Sequence, residues 1–273
     1  SGVARNIELN SEVSVMNDEA VNFRLGANYK ISGGSRPSGV SQLAYIVPVE
    51  RDVDVVLKQT VKIGVSPAGE YGQGNDVVHY YNGMKGGYFL DIGAHDGHTT
   101  SNTKGLEQSL DWTGMCVEAA PAMFELLTES RPACNNQQYA LSDIDGKEVT
   151  FTISKNHFIS GITDSLGKWK DVAMSDSEQV LMVTKSLQSL LKEQGAPKRI
   201  DYMSLDIEGE ELNVLKGVDL NEYWIEFIDL EHNFEEPRRT DIHDYLLSQG
   251  YYFLAENNVD DYYIRPYHEG FSR

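Results

Sequence analysis

Four acids stand where segments of apolar residues end: Asp91 in YFLDIGAHDG, Glu118 after MCV, Asp206 after YMSL and Glu231 after FIDL. If those segments are parallel strands of an open α/β sheet, their carboxyl ends open on one edge, and that edge is where such sheets bind ligands. Carboxylates crowded there repel one another unless a cation or a hydrogen-bonding ligand sits among them. Glu118 follows Asp91 by 27 residues, about the length of one βαβ unit, and an acid so placed suits the two hydroxyls of a ribose. Gly93 and Gly97 allow the chain after Asp91 to turn sharply and to approach a ligand closely. The spacing is not that of a dinucleotide or phosphate loop, because neither G-x-G-x-x-G nor G-K-[ST] occurs there.

The elements that must position these residues alternate. Tyr88 to Ile92 reads as a buried strand, followed by a helix starting near Thr99 or Thr100 that carries Leu106 and Leu110 inward. A strand at Met115 to Glu118 precedes a helix opened by Pro121, a residue suited to a first turn. Short strands follow at Gln138 to Leu141, Lys147 to Ser154 and Val180 to Thr184, with a helix at Ser186 to Glu193. Ile200 to Leu205 and Trp224 to Leu230 are strands, each leading to a helix, the first ending at Lys216 with Gly217 as its cap and the second spanning Thr240 to Ser248. Tyr251 to Leu254 and Tyr262 to Ile264 close the chain as an antiparallel hairpin. The pattern predicts a doubly wound, mostly parallel α/β sheet with right-handed crossovers.

Ahead of this lies a polar, glycine- and serine-rich stretch to about residue 45, with short alternations near Val13 to Val15 and Asn22 to Leu25 and a linker-like run from Ser32 to Gly39. From Val49 onward, Val53, Val56, Leu57, Thr60 and Val61 recur at helical spacing, and Asp76 to Asn82 reads as a second short helix. Residues 1–70 are expected to be an N-terminal extension and 71–273 the domain that carries the chemistry. The long irregular stretch from Asn156 to Lys170 holds His157, Phe158, Ser160 and Trp169 and is suited to closing over a ligand.

The net charge of −19 disfavours a nucleic-acid partner, which needs a basic surface, and Lys198-Arg199 and Arg238-Arg239 are isolated pairs. No run approaches a membrane span. Cys116 and Cys134 have no metal-ligand spacing and read as two buried thiols, with a reducing cytoplasm as the expected location.

Taken together the motifs resemble the FkbM family of S-adenosylmethionine (SAM)-dependent methyltransferases over Tyr71 to Ile264. The matching segments are Y-G-Q-G-N-D (Tyr71 to Asp76), F-L-D-I-G-A-H-D-G (Phe89 to Gly97), S-N-T-x-x-L-E (Ser101 to Glu107) and W-T-G-M-C-V-E (Trp112 to Glu118). A-L-S-D with Gly146, S-G-I at Ser160 and Y-M-S-L-D-I-E-G-E-E-L-x-V-L-K-G (Tyr202 to Gly217) follow, then E-H-N (Glu231 to Asn233) and a terminal G-Y and D-x-Y-I. The first segment departs from the family in carrying Asn75-Asp76 in place of a glutamine-aspartate pair.

The resemblance implies a Rossmann-like class I methyltransferase fold with a seven-stranded sheet. It places Asp91, Gly93 and Gly97 around the methionine part of SAM, with His95 inside the motif as a further contact to the cofactor. Backbone N–H groups near Ser101 and Asn102 would meet its carboxylate, Glu118 the ribose, and Ser142 and Asp143 the adenine. The expected reaction is O-methylation of a sugar, glycan or natural-product hydroxyl. The competing readings are methylation of nucleic acid or protein, and a SAM-binding module without turnover. For the chemistry two arrangements stand open: His232 or Glu208 as general base beside Asp206, or Asp206, Glu231 and His232 or Asn233 holding Mg²⁺ or Mn²⁺ to lower the hydroxyl's pKa.

Overall fold

A computed structural model describes residues 69–155 and 157–265, together with three short strands before them. Those strands, β1 (Asn22–Gly26), β2 (Ala44–Val49) and β3 (Asp52–Leu57), form an antiparallel sheet in the order β1-β3-β2. The helix expected from Val49 is therefore a strand at Asp52–Leu57. The run D-V-D-V-V-L also alternates with period two and is rich in β-branched residues, and that pattern prevails. The alternation near Val13 and the run Ser32 to Gly39 lie outside the described residues.

The main domain begins with α1 (Gln73–Tyr80) and then alternates β4 (Tyr88–Ile92), α2 (Lys104–Leu110), β5 (Thr113–Val117), α3 (Pro121–Ser130) and β6 (Asn135–Gln137). After β7 (Ala140–Ser142), β8 (Glu148–Ser154), β9 (Gly161–Ile162), α4 (Lys170–Ser175), β10 (Ser177–Ser186) and α5 (Leu187–Glu193), it resumes with β11 (Arg199–Leu205), α6 (Glu211–Lys216), β12 (Trp224–Glu231) and α7 (Arg238–Ser248). It ends in β13 (Tyr252–Asn257) and β14 (Asp260–Ile264). Seven strands form one sheet in the order β13-β14-β12-β11-β4-β5-β6. Pairing is parallel from β12 to β6, and β14 runs antiparallel to both neighbours. This is the Rossmann-like arrangement expected. Strand order reverses between β4 and β11, so ligand-binding loops collect there.

Alternate residues feed two cores. Leu90, Ile92, Met203, Leu205, Ile228 and Leu230 pack on one side of the sheet with α5, α6 and α7. Phe89, Tyr202, Phe227 and Tyr262 pack on the other with Leu106, Leu127 and Val78. Caps match the sequence: Pro121 opens α3, and Ser186 Oγ accepts from the Ser189 N–H at the start of α5. Gly217 follows α6 with φ −81°, so it is no left-handed cap. Its lack of a Cβ matters because one would crowd the Ser142 carbonyl at 2.7 Å.

Three further features differ from expectation. The strands between residues 140 and 186 do not join the main sheet; they form a second, four-stranded sheet in the order β7-β10-β8-β9. The second helix starts at Lys104, four residues later than Thr100, leaving 93–103 as irregular turn. Cys116 and Cys134 are joined in a disulfide rather than free. Sequential strands β5 and β6 lie side by side, so two residues 18 apart in sequence have Cα atoms 6.3 Å apart. Disulfides persist in oxidising compartments, so the ground for expecting a reducing one falls away. Among the described residues no helix is long and apolar enough to cross a membrane.

Candidate active site

A cavity opens at the carboxyl edge of β4, β5, β11 and β12, with Asp91, Glu118, Asp206 and Glu231 all on its wall. The strand order dictates this, since parallel neighbours end on the same side. At the β4 end, the wall is made by Ile92 to His95 and by Thr99 to Asn102. Gly93 has φ +89°, and a Cβ there would overlap the Asp206 carbonyl oxygen. The turn is held from below by Glu118, whose Oε2 accepts from the His95 N–H at 2.9 Å and whose Oε1 accepts from the Ala120 N–H at 2.7 Å. Enclosure by protein pushes the Glu118 carboxyl up to about 7. Asp91 is buried and accepts from Thr103 Oγ1 at 2.5 Å. Burial raises its pKa against the opposing pull of Arg131 and Thr103.

His95 adopts φ +50° and stacks its ring on Phe158, centroids 4.7 Å apart and planes 15° apart. Burial lowers its pKa, keeping the ring neutral. His157, Phe158 and Ser160 of the long loop line the cavity as well, whereas Trp169 does not. Instead the ammonium of Lys168 sits 4.8 Å from the Trp169 ring.

The β11–β12 end is acidic. Ligand oxygens of Asp206, Glu208 and Glu231 all lie within 4.8 Å of one another. Asp206 is open to the cavity but walled by protein on its other sides. That enclosure, then the charges of Asp260 and Glu211, raises its pKa to about 7. Burial and the neighbouring Asp206 take Glu208 to about 9, and burial with Asp206 and Glu208 pushes Glu231 up to about 12. Glu211 is buried, and its Oε1 accepts from the N–H groups of Ile207 and Gly209, fixing the turn that presents Glu208.

Several expected residues stand elsewhere. His232 is buried with its ring turned towards β14, where Nε2 faces Asp261 Oδ1 at 3.4 Å and Nδ1 accepts from the Phe234 N–H. It belongs with Glu256 and Asp261, and the Arg239 guanidinium already bridges those two acids. So Glu208, not His232, joins Asp206 and Glu231 in the cation-competent set. Ser142 is buried, donating to Glu210 Oε2 at 2.6 Å, and Asp143 is exposed; neither is on the cavity wall. Gly97 also lies off the wall, packed under Leu127 and Arg131.

Other wall residues escaped the sequence reading. Glu70 reaches the acidic end from a segment pinned by Gln73, whose Nε2 donates to Asp260 at 2.6 Å. Glu210 gathers Ser142, Ser165 and Asn213 beneath the wall. Glu70 carries no motif signal; Glu210 sits inside D-I-E-G-E-E, where the pattern alone does not separate it from its acidic neighbours.

The chain matches the methyltransferase FkbM domain over residues 91–253. No curated protein matches it. Among solved structures it is similar to an FkbM methyltransferase of Methylobacillus flagellatus KT, with 13% identity over 66% of this chain and 44% of that one and a TM-score of 0.45. The chain thus spans less than half of that protein's length. It is also similar to the methyltransferase domain of METTL16 (11% identity, 71% and 65% covered, TM-score 0.40) and to Aeropyrum pernix fibrillarin with bound SAM (10% identity, 85% and 84% covered, TM-score 0.36). The motif order, the sheet order and the domain match agree: the chain belongs to the FkbM family of SAM-dependent methyltransferases.

Proposed function

We propose that the protein transfers the SAM methyl group to a hydroxyl of a neutral, carbohydrate-like acceptor. The observation that carries this reading is the composition of the cavity wall. It places Asp206, Glu208 and Glu231 beside Asp91 and Glu118, and among the described residues no lysine or arginine lines it. A phosphate-bearing acceptor, nucleic acid included, would need basic contacts.

The residues present suit SAM. Asn102 Oδ1 and His95 Nε2 are buried on the wall without hydrogen-bond partners. Asp91 and the turn at Thr99 to Asn102 would bind the methionine end, and Glu118 the ribose hydroxyls. When bound, SAM supplies an electrophilic methyl group on a sulfonium. Asp206, with a pKa near neutrality, would accept the acceptor's proton as its oxygen attacks the methyl carbon. Glu208, protonated at neutral pH, would donate a hydrogen bond to the acceptor.

A second reading has its own support: three hard oxygen donors within 4.8 Å suit Mg²⁺ or Mn²⁺, held by Asp206, Glu208 and Glu231, which would lower the hydroxyl's pKa. Residues 71–273 are proposed as the catalytic domain and 1–70 as an extension, with Glu70 at their junction on the acceptor side.

The test is transfer of a labelled methyl group from SAM onto neutral glycosides, uronic acids, sugar phosphates, RNA and protein, with and without chelator. Label on neutral glycosides, lost about a hundredfold or more in Asp206→Asn with S-adenosylhomocysteine binding kept, supports the proposal. Label on RNA or protein alone would overturn it, and turnover unchanged by chelator would exclude the metal reading.

A further inference from the structure

Arg131 is fully buried, yet it lies off the cavity wall and has no part in the chemistry above. It follows the last turn of α3, and its guanidinium points into the back of the turn after β4. Nε donates to Glu107; Nη1 donates to Ser101 Oγ at 3.3 Å, and Nη1 and Nη2 each reach Thr103 Oγ1 at 3.2 Å. The Gly97 carbonyl lies 3.5 Å from Nη1 and Asp91 Oδ2 3.8 Å from it, with the Phe89 ring 5.5 Å from the guanidinium carbon.

Apart from Asp91 and Phe89, these partners lie between residues 97 and 107. That segment includes Thr99 to Asn102 of the wall, and it becomes helical only at Lys104. A stretch without helical hydrogen bonds needs other cross-links, and a guanidinium offers five donors in a fixed fork. A buried cation is tolerated only where it is paired, and here two carboxylates, Asp91 and Glu107, share it.

We propose that Arg131 is a positioning residue of the SAM site: by gripping Asp91 and the 97–103 turn from behind, it sets the affinity for the donor. The inference rests on assigning the β4 end of the cavity to SAM. A merely structural arginine would alter fold stability without touching the site's response to pH. The charged groups facing Asp91 are Arg131 at the end of α3, Glu107 on α2 and Glu118 after β5. With the cation gone, Asp91 remains buried among acids, so it takes up a proton as pH falls and the donor's contact weakens.

The experiment is calorimetric titration of the purified protein with S-adenosylhomocysteine from pH 6 to 9, comparing wild type with Arg131→Lys, Arg131→Met and Glu107→Gln, folding being checked by circular dichroism. Arg131→Lys should weaken binding about tenfold by losing the fork while keeping the charge. Arg131→Met should weaken it about fiftyfold or more at pH 6, its ratio to wild type shrinking towards pH 9. Glu107→Gln, which leaves Arg131 free to pair with Asp91, should stay within about threefold. Binding by folded Arg131→Lys and Arg131→Met within about twofold of wild type, with an unchanged pH profile, would overturn the inference. If Arg131→Met does not fold, unchanged binding by Arg131→Lys overturns it alone. Failure of the wild type itself to bind would instead overturn the donor-site assignment, and the inference with it.

Discussion

Gly93 and Asp206 meet backbone to backbone at the ends of adjacent parallel strands. The Asp206 N–H donates to the Ile92 carbonyl at 2.9 Å, and a Cβ on Gly93 would overlap the Asp206 carbonyl oxygen. The turn that frames the β4 end of the cavity is thereby packed directly on the turn that presents the acids of its β11–β12 end. Neither can move without the other.

Gly93→Ala should therefore abolish S-adenosylhomocysteine binding in calorimetry. It combines a left-handed φ with a backbone overlap, and strain of that kind costs about 1–3 kcal/mol before the overlap is counted. The melting temperature should fall by several degrees. Binding within a few-fold of wild type would mean that the two turns separate freely.

The acidic end makes the ligand-free protein less stable as pH rises. Asp206 and Glu118 titrate at about 7 and Glu208 at about 9, all above their ordinary values. A raised carboxyl pKa means the folded state holds protons that the unfolded state has already released, so its contribution is present at low pH and is lost as pH climbs through the folded value. Asp96, held down at about 2 by the Thr99 hydroxyl and the Thr99 and His98 N–H groups despite burial, contributes stability that is fully present above about pH 4 and is lost only as pH falls towards 2. In chelator, the melting temperature should decline from pH 5 to 9, and Glu208→Gln should flatten that decline. A melting temperature rising over this range would contradict the assignment.

Reducing the Cys116–Cys134 disulfide should destabilise the protein. Its 18-residue separation corresponds to about 3 kcal/mol in the chain-entropy picture, or a drop of about 10 °C in melting temperature for a domain of this size. Melts with and without reductant test this, and alkylation followed by mass measurement should find no free thiol before reduction.

His232→Ala should lower the melting temperature while leaving S-adenosylhomocysteine affinity within about twofold, because its ring faces Asp261 and not the cavity. A selective loss of donor affinity in a variant of unchanged stability would return the residue to the site.

Much of the cavity's rim was legible in the chain alone. A run such as YFLDIG must be a buried strand ending in a turn, and the alternation of strands and helices orders them into a doubly wound sheet. Asp91, Gly93, Glu118, Asp206 and Glu231 follow from that, because parallel neighbours end on one edge. Where strand pairing had to be chosen, sequence pattern was silent: β7 to β10 have ordinary strand periodicity, and nothing in it says that they pair among themselves rather than extend the main sheet.

The remaining questions turned on side-chain direction and on distance across the chain. Two adjacent residues at a strand end point to opposite sides, so Glu231 faces the cavity and His232 faces Asp261. The pairing of Cys116 with Cys134, and of Arg131 with Asp91 and Glu107, depends on which strands and turns are neighbours. Residue type and spacing determined what chemistry the sheet edge can carry; only the folded arrangement decided which acid stands beside which, because proximity between distant residues is set by packing and is not written in local pattern.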